Sequence, residues 1–281
     1  MEIISSVKAM KARSAALRER GAVVGFVPTM GALHEGHLSL VRIAHGLSDT
    51  VVASIFVNPA QFGPSEDFER YPRDLERDQR LLEEAGCDIV FIPTVEEIYP
   101  PRYATVVHIQ RMGDRLCGGF RPGHFEGVCT VVAKLFAIVR PSLAVFGQKD
   151  GQQVAILERM VADLNRDVEI IRGPTLREPD GLAMSSRNVY LSPGERSGAT
   201  VLYRALERGR SLFEAGEAGA ESVVQAMRDL IGSEPGVEIQ YVAVVDSVTL
   251  DDVRELRPGA MLAVAAFVGK TRLIDNVVLG G

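Results

Sequence analysis

The sequence predicts an α/β protein, a Rossmann-like parallel sheet followed by a smaller C-terminal α+β domain. Three observations predict it. Strand-like and helix-like segments alternate through the first 170 residues, and repeated βα units imply a parallel sheet covered by helices on both faces. The pattern changes after Gly173-Pro174, where two helical segments precede three strand candidates. A chain of 281 residues can also bury two cores of unequal size. The expected domains are 1–174 and 175–281, joined through a proline- and glycine-containing stretch near 174–190 with few apolar residues.

Each element has its own warrant. Residues 22–27 read as a buried strand, and Leu40, Ile43, Ala44 and Leu47 follow as one helix face. Residues 50–58 are rich in Val, Ile and Phe and stop at Pro59. Residues 72–85 predict a helix ended by Gly86 at a left-handed position. Residues 88–92 form a short buried strand, and Thr94-x-x-Glu97 has the form of a capping box. Val128, Val131, Val132, Leu135, Phe136 and Val139 give a clear 3.6-residue period, which Pro141 closes. Then come a strand at Leu143–Gly147, a helix over 150–164 with Val154, Leu157, Val161 and Leu164 inward, and a strand over 168–172. Ser192-Pro193-Gly194-Glu195 carries an N-cap, a proline at N1 and a glutamate at N3. Helices are expected at 193–215 and 219–232, then strands at Val237–Asp246, Ala260–Val268 and 271–279, the last two joined by a Gly269-Lys270 turn.

Composition excludes several classes. With 46% hydrophobic and 24% charged residues the chain reads as an ordinary soluble globular protein. A net charge of -6 argues against nucleic acid as its main partner. No apolar run approaches the roughly 20 residues that span a bilayer, and the N-terminus lacks the basic and apolar regions of a signal peptide. Three cysteines, Cys87, Cys117 and Cys129, without CxxC spacing fit a reduced cytoplasmic protein.

The most informative segment is Val27-Pro28-Thr29-Met30-Gly31-Ala32-Leu33-His34-Glu35-Gly36-His37. It places two histidines three apart, on one side of a helix N-terminus. Unpaired backbone N–H groups and the positive dipole end attract anions there, so two imidazoles would make a phosphate clamp. A solvated or capping histidine is the plain alternative. Zinc is less favoured, because helical two-histidine metal pairs usually sit four apart and no third ligand is near. Three further elements end strands or join domains. Asn58 can be only a turn residue before proline, and Gln61 only a solvated loop residue. In Gly147-Gln148-Lys149-Asp150-Gly151-Gln152-Gln153, Asp150 and Gln153 can be a cap and its partner. Lys149 beside glycine is also what phosphate recognition needs. In Gly181-Leu182-Ala183-Met184-Ser185-Ser186-Arg187-Asn188, two hydroxyls and an arginine can serve a triphosphate from a loop able to close over a ligand.

Taken together, VPTMGALHEGHLSLV, SIFVNPAQFGPSEDFERYPR, RPGHFEGVCTVVAKLF, GQKDGQQ and DGLAMSSRN, in this order and across essentially the whole chain, resemble the pantoate–β-alanine ligase family of the nucleotidyltransferase superfamily. HEGH resembles that superfamily's HIGH element, and Met184-Ser185-Ser186-Arg187 its KMSKS loop. The resemblance implies an ATP-dependent, AMP-forming carbon–nitrogen ligase. Pantoate's carboxylate attacks the α-phosphate, pyrophosphate leaves, and β-alanine's amine then takes the pantoyl group from pantoyl adenylate. Residues 1–174 become the catalytic domain and 175–281 a lid carrying the MSSR loop.

The resemblance also assigns residues. His34, His37, Lys149, Ser186 and Arg187 are the expected catalytic set, with His37 donating to phosphate. ATP is expected along Met30, Gly31, Ala32, Leu33, His34, Glu35, Gly36 and His37. Its other contacts are Gly147, Gln148, Lys149 and Asp150, then Leu176, Met184, Ser185, Ser186 and Arg187. Gln61, Gln153 and Met30 are expected on pantoate, where neutral amides orient a carboxylate without a tight salt bridge. Asp78 and Tyr71 fall where the family has a loop over the pantoate pocket. Two positions depart from the family pattern. Cys117 stands where many relatives carry glutamate, and no nucleophilic duty is expected of it. Gln148 replaces glutamate or an apolar residue, so its side chain is expected to point away from ATP. Mg2+ is expected as the counter-ion of ATP, with no dedicated metal site, no nucleic acid and no membrane partner. A homodimer is implied by the resemblance alone. The competing readings are an aminoacyl-tRNA synthetase, a mononucleotide adenylyltransferase and a silent nucleotide sensor.

Overall fold

The computed structural model describes residues 1–64 and 66–280. They form two compact units, one of Met1–Gly147 with Ile156–Gly173 and one of Gln148–Ala155 with Pro174–Gly281.

The first unit holds β1 (Glu2–Ile4), β2 (Val24–Thr29), β3 (Thr50–Ile55), β4 (Ile89–Phe91), β5 (Leu143–Gly147) and β6 (Glu169–Gly173), in the order β1-β4-β3-β2-β5-β6. All pairs are parallel, as expected of strands apolar on both faces. Val24, Phe26, Val27, Val51, Val52 and Ala53 are all buried. The connecting helices are α1 (Val7–Glu19), α2 (Glu35–Leu47), α3 (Leu75–Glu84), α4 (Val95–Ile98), α5 (Cys117–Phe120) and α6 (His124–Val139). A further helix, α7 (Gly151–Asp163), begins in the second unit and ends in the first. From β2 the chain builds outward through β3 and β4, then returns to add β5 on β2's other side. The carboxyl ends of β2 and β5 therefore flank the topological switch point, where open α/β sheets bind ligands.

Local chemistry explains where elements differ from expectation. Residues 1–19, which carry no expectation above, form β1 and α1, the latter capped by Ser6 accepting from the Ala9 N–H. Helix α3 starts at Leu75 rather than 72, because the Asp74 carboxylate accepts from the Arg77 N–H and sets the N-cap. Gly86 adopts the expected left-handed φ of 85°. The capping box at Thr94 is only half made. Thr94 caps α4, but the Glu97 carboxylate accepts from the Val7 N–H at 2.6 Å instead of folding back. Val154 and Leu157 are buried as expected, whereas Leu164 lies past the end of α7 and is 44% exposed.

The second unit holds α8 (Pro193–Gly198), α9 (Val201–Glu214), α10 (Ala220–Gly232) and an antiparallel sheet of β7 (Val237–Asp246), β8 (Ala260–Val268) and β9 (Thr271–Val278). Its core includes Leu202, Leu206, Met227, Val264 and Leu273. The Ser192–Glu195 capping box forms in full, but the helix expected over 193–215 breaks between α8 and α9. Pro174 begins the C-terminal part of this unit, which also takes in Gln148–Ala155. A single division at 174 misses that segment. Hydrogen bonds from Asn276 on β9, more than a hundred residues later, hold the Gln148–Lys149 turn.

Candidate active site

In the first unit the site is built on the turn leaving β2. His34 is the N-cap of α2, and its Nδ1 accepts from the Gly36 N–H at 3.1 Å. The His37 Nδ1 accepts from the His34 N–H at 3.4 Å, and the two rings lie 4.1 Å apart at 44°. When Nδ1 is an acceptor, a neutral imidazole carries its proton on Nε2. Both rings are therefore set as Nε2–H donors near the helix start. Part of the expected set of backbone donors is used within the turn. The N–H groups of His34 and Gly36 are taken by the imidazoles, and those of His37 and Leu38 by the His34 carbonyl.

The preceding turn is held from α3. Asp78, 1% exposed, accepts from the N–H groups of Ala32 and Leu33, each at 2.8 Å. Burial raises its carboxyl pKa, although both N–H bonds pull the other way. Ala32 has a positive φ of 51°, and the Asp78 bonds secure that uncommon conformation. Arg77 donates to the Leu33 carbonyl at 2.9 Å, and Gly31 N–H donates to the Thr29 hydroxyl at 3.2 Å. Both polar backbone atoms of Leu33 are thus engaged and its side chain is buried. Leu33 thereby helps to hold the turn.

Gln61 closes a short 3-10 turn, Pro59–Gln61, that follows β3. Its Nε2 donates to the Met30 Sδ at 2.9 Å, so the structure brings together two residues assigned to one substrate. Its Oε1 accepts from Asn58 Nδ2 at 3.1 Å. Asn58 is more than a turn residue: 1% exposed, it also donates to the Gly127 carbonyl and accepts from the Tyr99 hydroxyl at 2.7 Å. Burial raises the Tyr99 phenol pKa, which keeps it a donor. Gly127 lets α6 approach, because a Cβ there would stand 2.2 Å from the Ala60 carbonyl oxygen.

A second cluster lies against the same turn. Arg121 makes a bidentate pair with Glu66 at 2.7 and 2.5 Å, and its Nη1 lies 3.0 Å from His124 Nε2. His124 Nδ1 lies 2.8 Å from the Gln61 carbonyl oxygen. Burial would raise the Glu66 pKa, but the Arg121 hydrogen bonds and charge outweigh it and hold the carboxyl below its ordinary value. Residues 121–124 belong to a recognised segment, but a lone arginine or histidine without a partner in view gave no reason to single either out. Cys117 is buried in α5, and burial raises the thiols of Cys87 and Cys129 to about 11 and about 12.

In the second unit, Gln148–Asp150 is a 3-10 turn opening into α7, with Gln153 in the helix's first turn. Lys149 Nζ lies 3.9 Å from the Asp150 carboxylate. The Gln148 side chain donates to Asn276 Oδ1 at 3.0 Å. Residues 176–184 form a hairpin in which the Met184 N–H donates to the Leu176 carbonyl at 3.0 Å. The structure brings Leu176 and Met184 together, and the Met184 N–H is spent inside the hairpin. Ser185 caps the short helix Ser186–Tyr190 by accepting from the Arg187 N–H, and Asn188 donates to the Ala183 carbonyl. Among the described residues no group of three His, Cys, Asp or Glu side chains is placed to hold a metal ion. Nor among the described residues is any helix long and apolar enough to cross a membrane.

The fold and these motifs agree with the comparisons. A family model described as Pantoate-beta-alanine ligase matches residues 2–278. A pantothenate synthetase of Thermotoga neapolitana is 56% identical over 280 residues, covering 100% of both chains. One of Thermoanaerobacter sp. (strain X514) is 56% identical over 260 residues, covering 92% of each. The crystal structure of pantothenate synthetase from Thermus thermophilus superposes with a TM-score of 0.94 at 48% identity, covering 99% of each chain. The pantoate-beta-alanine ligase of Francisella tularensis, complexed with beta-gamma ATP and beta-alanine, superposes with a TM-score of 0.82 at 33% identity, covering 99% of this chain and 97% of that one. The chain is thus an enzyme of the ligase class. More narrowly, it belongs to the pantoate–β-alanine ligase family.

Proposed function

We propose that this enzyme condenses pantoate with β-alanine to pantothenate, converting ATP to AMP and pyrophosphate through pantoyl adenylate. The observation that carries the reading is the pair His34 and His37 at the start of α2, their rings 4.1 Å apart and each held by a bond to Nδ1. Fixed donors aimed at developing phosphate charge are what the first step requires.

In that step a pantoate carboxylate oxygen bonds to the α-phosphorus and the bond to the pyrophosphate oxygen breaks. His37 and His34 donate to the phosphates, while Lys149, Ser186 and Arg187 supply further charge and hydrogen bonds. Gln61 and Gln153 orient pantoate, with Met30 packed beside Gln61. The turn from Met30 through Gly36 lines ATP, and Gly147, Gln148 and Asp150 meet adenine and ribose. Gln148 does so through its backbone, since its side chain is engaged by Asn276. Leu176, Met184 and Ser185 complete the adenine contacts. In the second step the β-alanine nitrogen bonds to the pantoyl carbonyl carbon, AMP departs with the bond electrons, and the nitrogen gives up protons to solvent. Mg2+ enters with ATP as its counter-ion. Residues 1–174 serve as the catalytic domain, and residues 175–281 carry the MSSR segment as a lid. The enzyme works in the cytoplasm as a homodimer.

Product stoichiometry tests the reading. Mixing enzyme, ATP, pantoate and β-alanine is expected to give pantothenate, AMP and pyrophosphate in equal amounts. ADP with inorganic phosphate, or nucleotide binding without pantothenate, would refute it.

A further inference from the structure

Two adjacent buried polar residues of β9 remain unused by this mechanism. Asp275 is 4% exposed and Asn276 6%, opposite Val264 and Ala263 of the core strand β8. Neighbouring strand residues face opposite ways, so each serves a different segment. Burying them costs free energy unless their hydrogen bonds are met. Here they are met by the two segments that carry the second unit's phosphate-binding residues.

Asn276 Nδ2 donates to the carbonyls of Gln148 and Lys149, each at 2.9 Å, and its Oδ1 accepts from Gln148 Nε2 at 3.0 Å. Two carbonyls on one side fix the amide's orientation, since only the NH2 can face them. The start of α7 comes close enough that a Cβ on Gly151 would stand 3.1 Å from Asn276 Oδ1 and 2.8 Å from Met261 Sδ. Asp275 takes the other segment. It forms a bidentate pair with Arg177 at 2.5 and 3.0 Å, and accepts from the Asn276 N–H at 2.8 Å. Arg177 donates onward to the Gly181 carbonyl, lies 4.0 Å from the Tyr203 ring centroid, and pairs across the hairpin with Ala183, one residue before Met184.

We propose that Asp275 and Asn276 are positioning residues for phosphate activation. Asn276 sets the backbone that aims Lys149, and Asp275 fixes the hairpin that delivers Met184-Ser185-Ser186-Arg187. The proposal rests on the reading that Lys149, Ser186 and Arg187 engage ATP.

Asn276→Asp tests it with a near-isosteric change that turns an oxygen toward the Gln148 and Lys149 carbonyls. Adenylate formation, read as pantoate-dependent pyrophosphate exchange, is expected to fall about 10- to 100-fold, since small misplacements of a fixed group cost that much. Aminolysis of supplied pantoyl adenylate, after pyrophosphate has gone, is expected to stay within about threefold of the parent. Equal loss in both steps, or unchanged exchange, would overturn the proposal. Gly151→Ala presses on the same contact from the helix side and is expected to show the same split if Asn276→Asp does not fold. A second readout needs no turnover: acylation of lysine amines by an N-hydroxysuccinimide ester, followed by peptide mass spectrometry. Asn276→Asp is expected to change the Lys149 labelling rate while Lys134 and Lys270 keep theirs. An unchanged Lys149 rate would overturn the positioning claim even if the parent makes no pantothenate, a result that would refute only the functional reading.

Discussion

At the scale of single residues, the site is organised by groups that hold other groups. The His34 and His37 rings are aimed by their own Nδ1 bonds, Gln61 by Asn58 and Met30, and the turn before the histidines by Asp78. The candidate positions could be named from the sequence because histidine pairs, strand-end glutamines and a lysine beside glycine have recognisable chemistry. Their supports could not. Asp78 stands more than forty residues from the turn it clamps, and Asn58 reads as an ordinary residue before proline until its burial is known. Two consequences can be measured. On the proposed role of His37 as a donor to phosphate, His37→Ala is expected to lower adenylate formation by about 10²- to 10³-fold. Gln61→Ala is expected chiefly to raise the pantoate KM. Binding titrations that show equal loss of ATP affinity in both would contradict that division. Glu66 supplies a pH test. Its native pKa lies below the ordinary 4.5, so its stabilisation is fully present above that value and fades as pH falls through the depressed one. Glu66→Gln is therefore expected to flatten the acid limb of unfolding free energy against pH, measured in urea. An unaltered limb would show that the Arg121 pair contributes nothing.

At the scale of elements, packing decides what local patterns cannot. The Val128–Val139 period announced α6, but its value to the site comes from Gly127, where the helix touches the Pro59–Gln61 turn. Thr94 and Glu97 looked like reciprocal caps, yet Glu97 is drawn to the N–H of Val7, and no local signal reveals that pairing. The start of α7 shows the same effect, since a glycine there reflects the nearness of Asn276 and Met261. Gly127→Ala places a methyl group against the Ala60 carbonyl oxygen. Overpacking of this kind is expected to destabilise by about 1–3 kcal/mol and, by displacing Gln61, to raise the pantoate KM. Denaturant unfolding and initial-rate kinetics check both, and a variant as stable as its parent would show that the turn yields freely.

At the scale of the whole molecule, alternating strands and helices sufficed for the parallel sheet, because strands buried on both faces announce themselves by continuous apolar runs. The antiparallel trio β7 to β9 was legible from its strand candidates and from the tight Gly269-Lys270 turn between the last two. The division into units was harder to read. A contiguous break at 174 follows composition, whereas the segment Gln148–Ala155 joins the second unit through hydrogen bonds to a strand more than a hundred residues later. Five motifs in order pointed to the family, and the full-length matches establish it. The claim that remains central is carboxylate activation. Exchange of labelled pyrophosphate into ATP, run without β-alanine, tests it most directly. Exchange is expected only when pantoate is present, and neither an amino acid nor nicotinate mononucleotide is expected to replace it. Exchange independent of pantoate, or pantothenate synthesis with no pantoate-dependent exchange, would contradict an adenylate route.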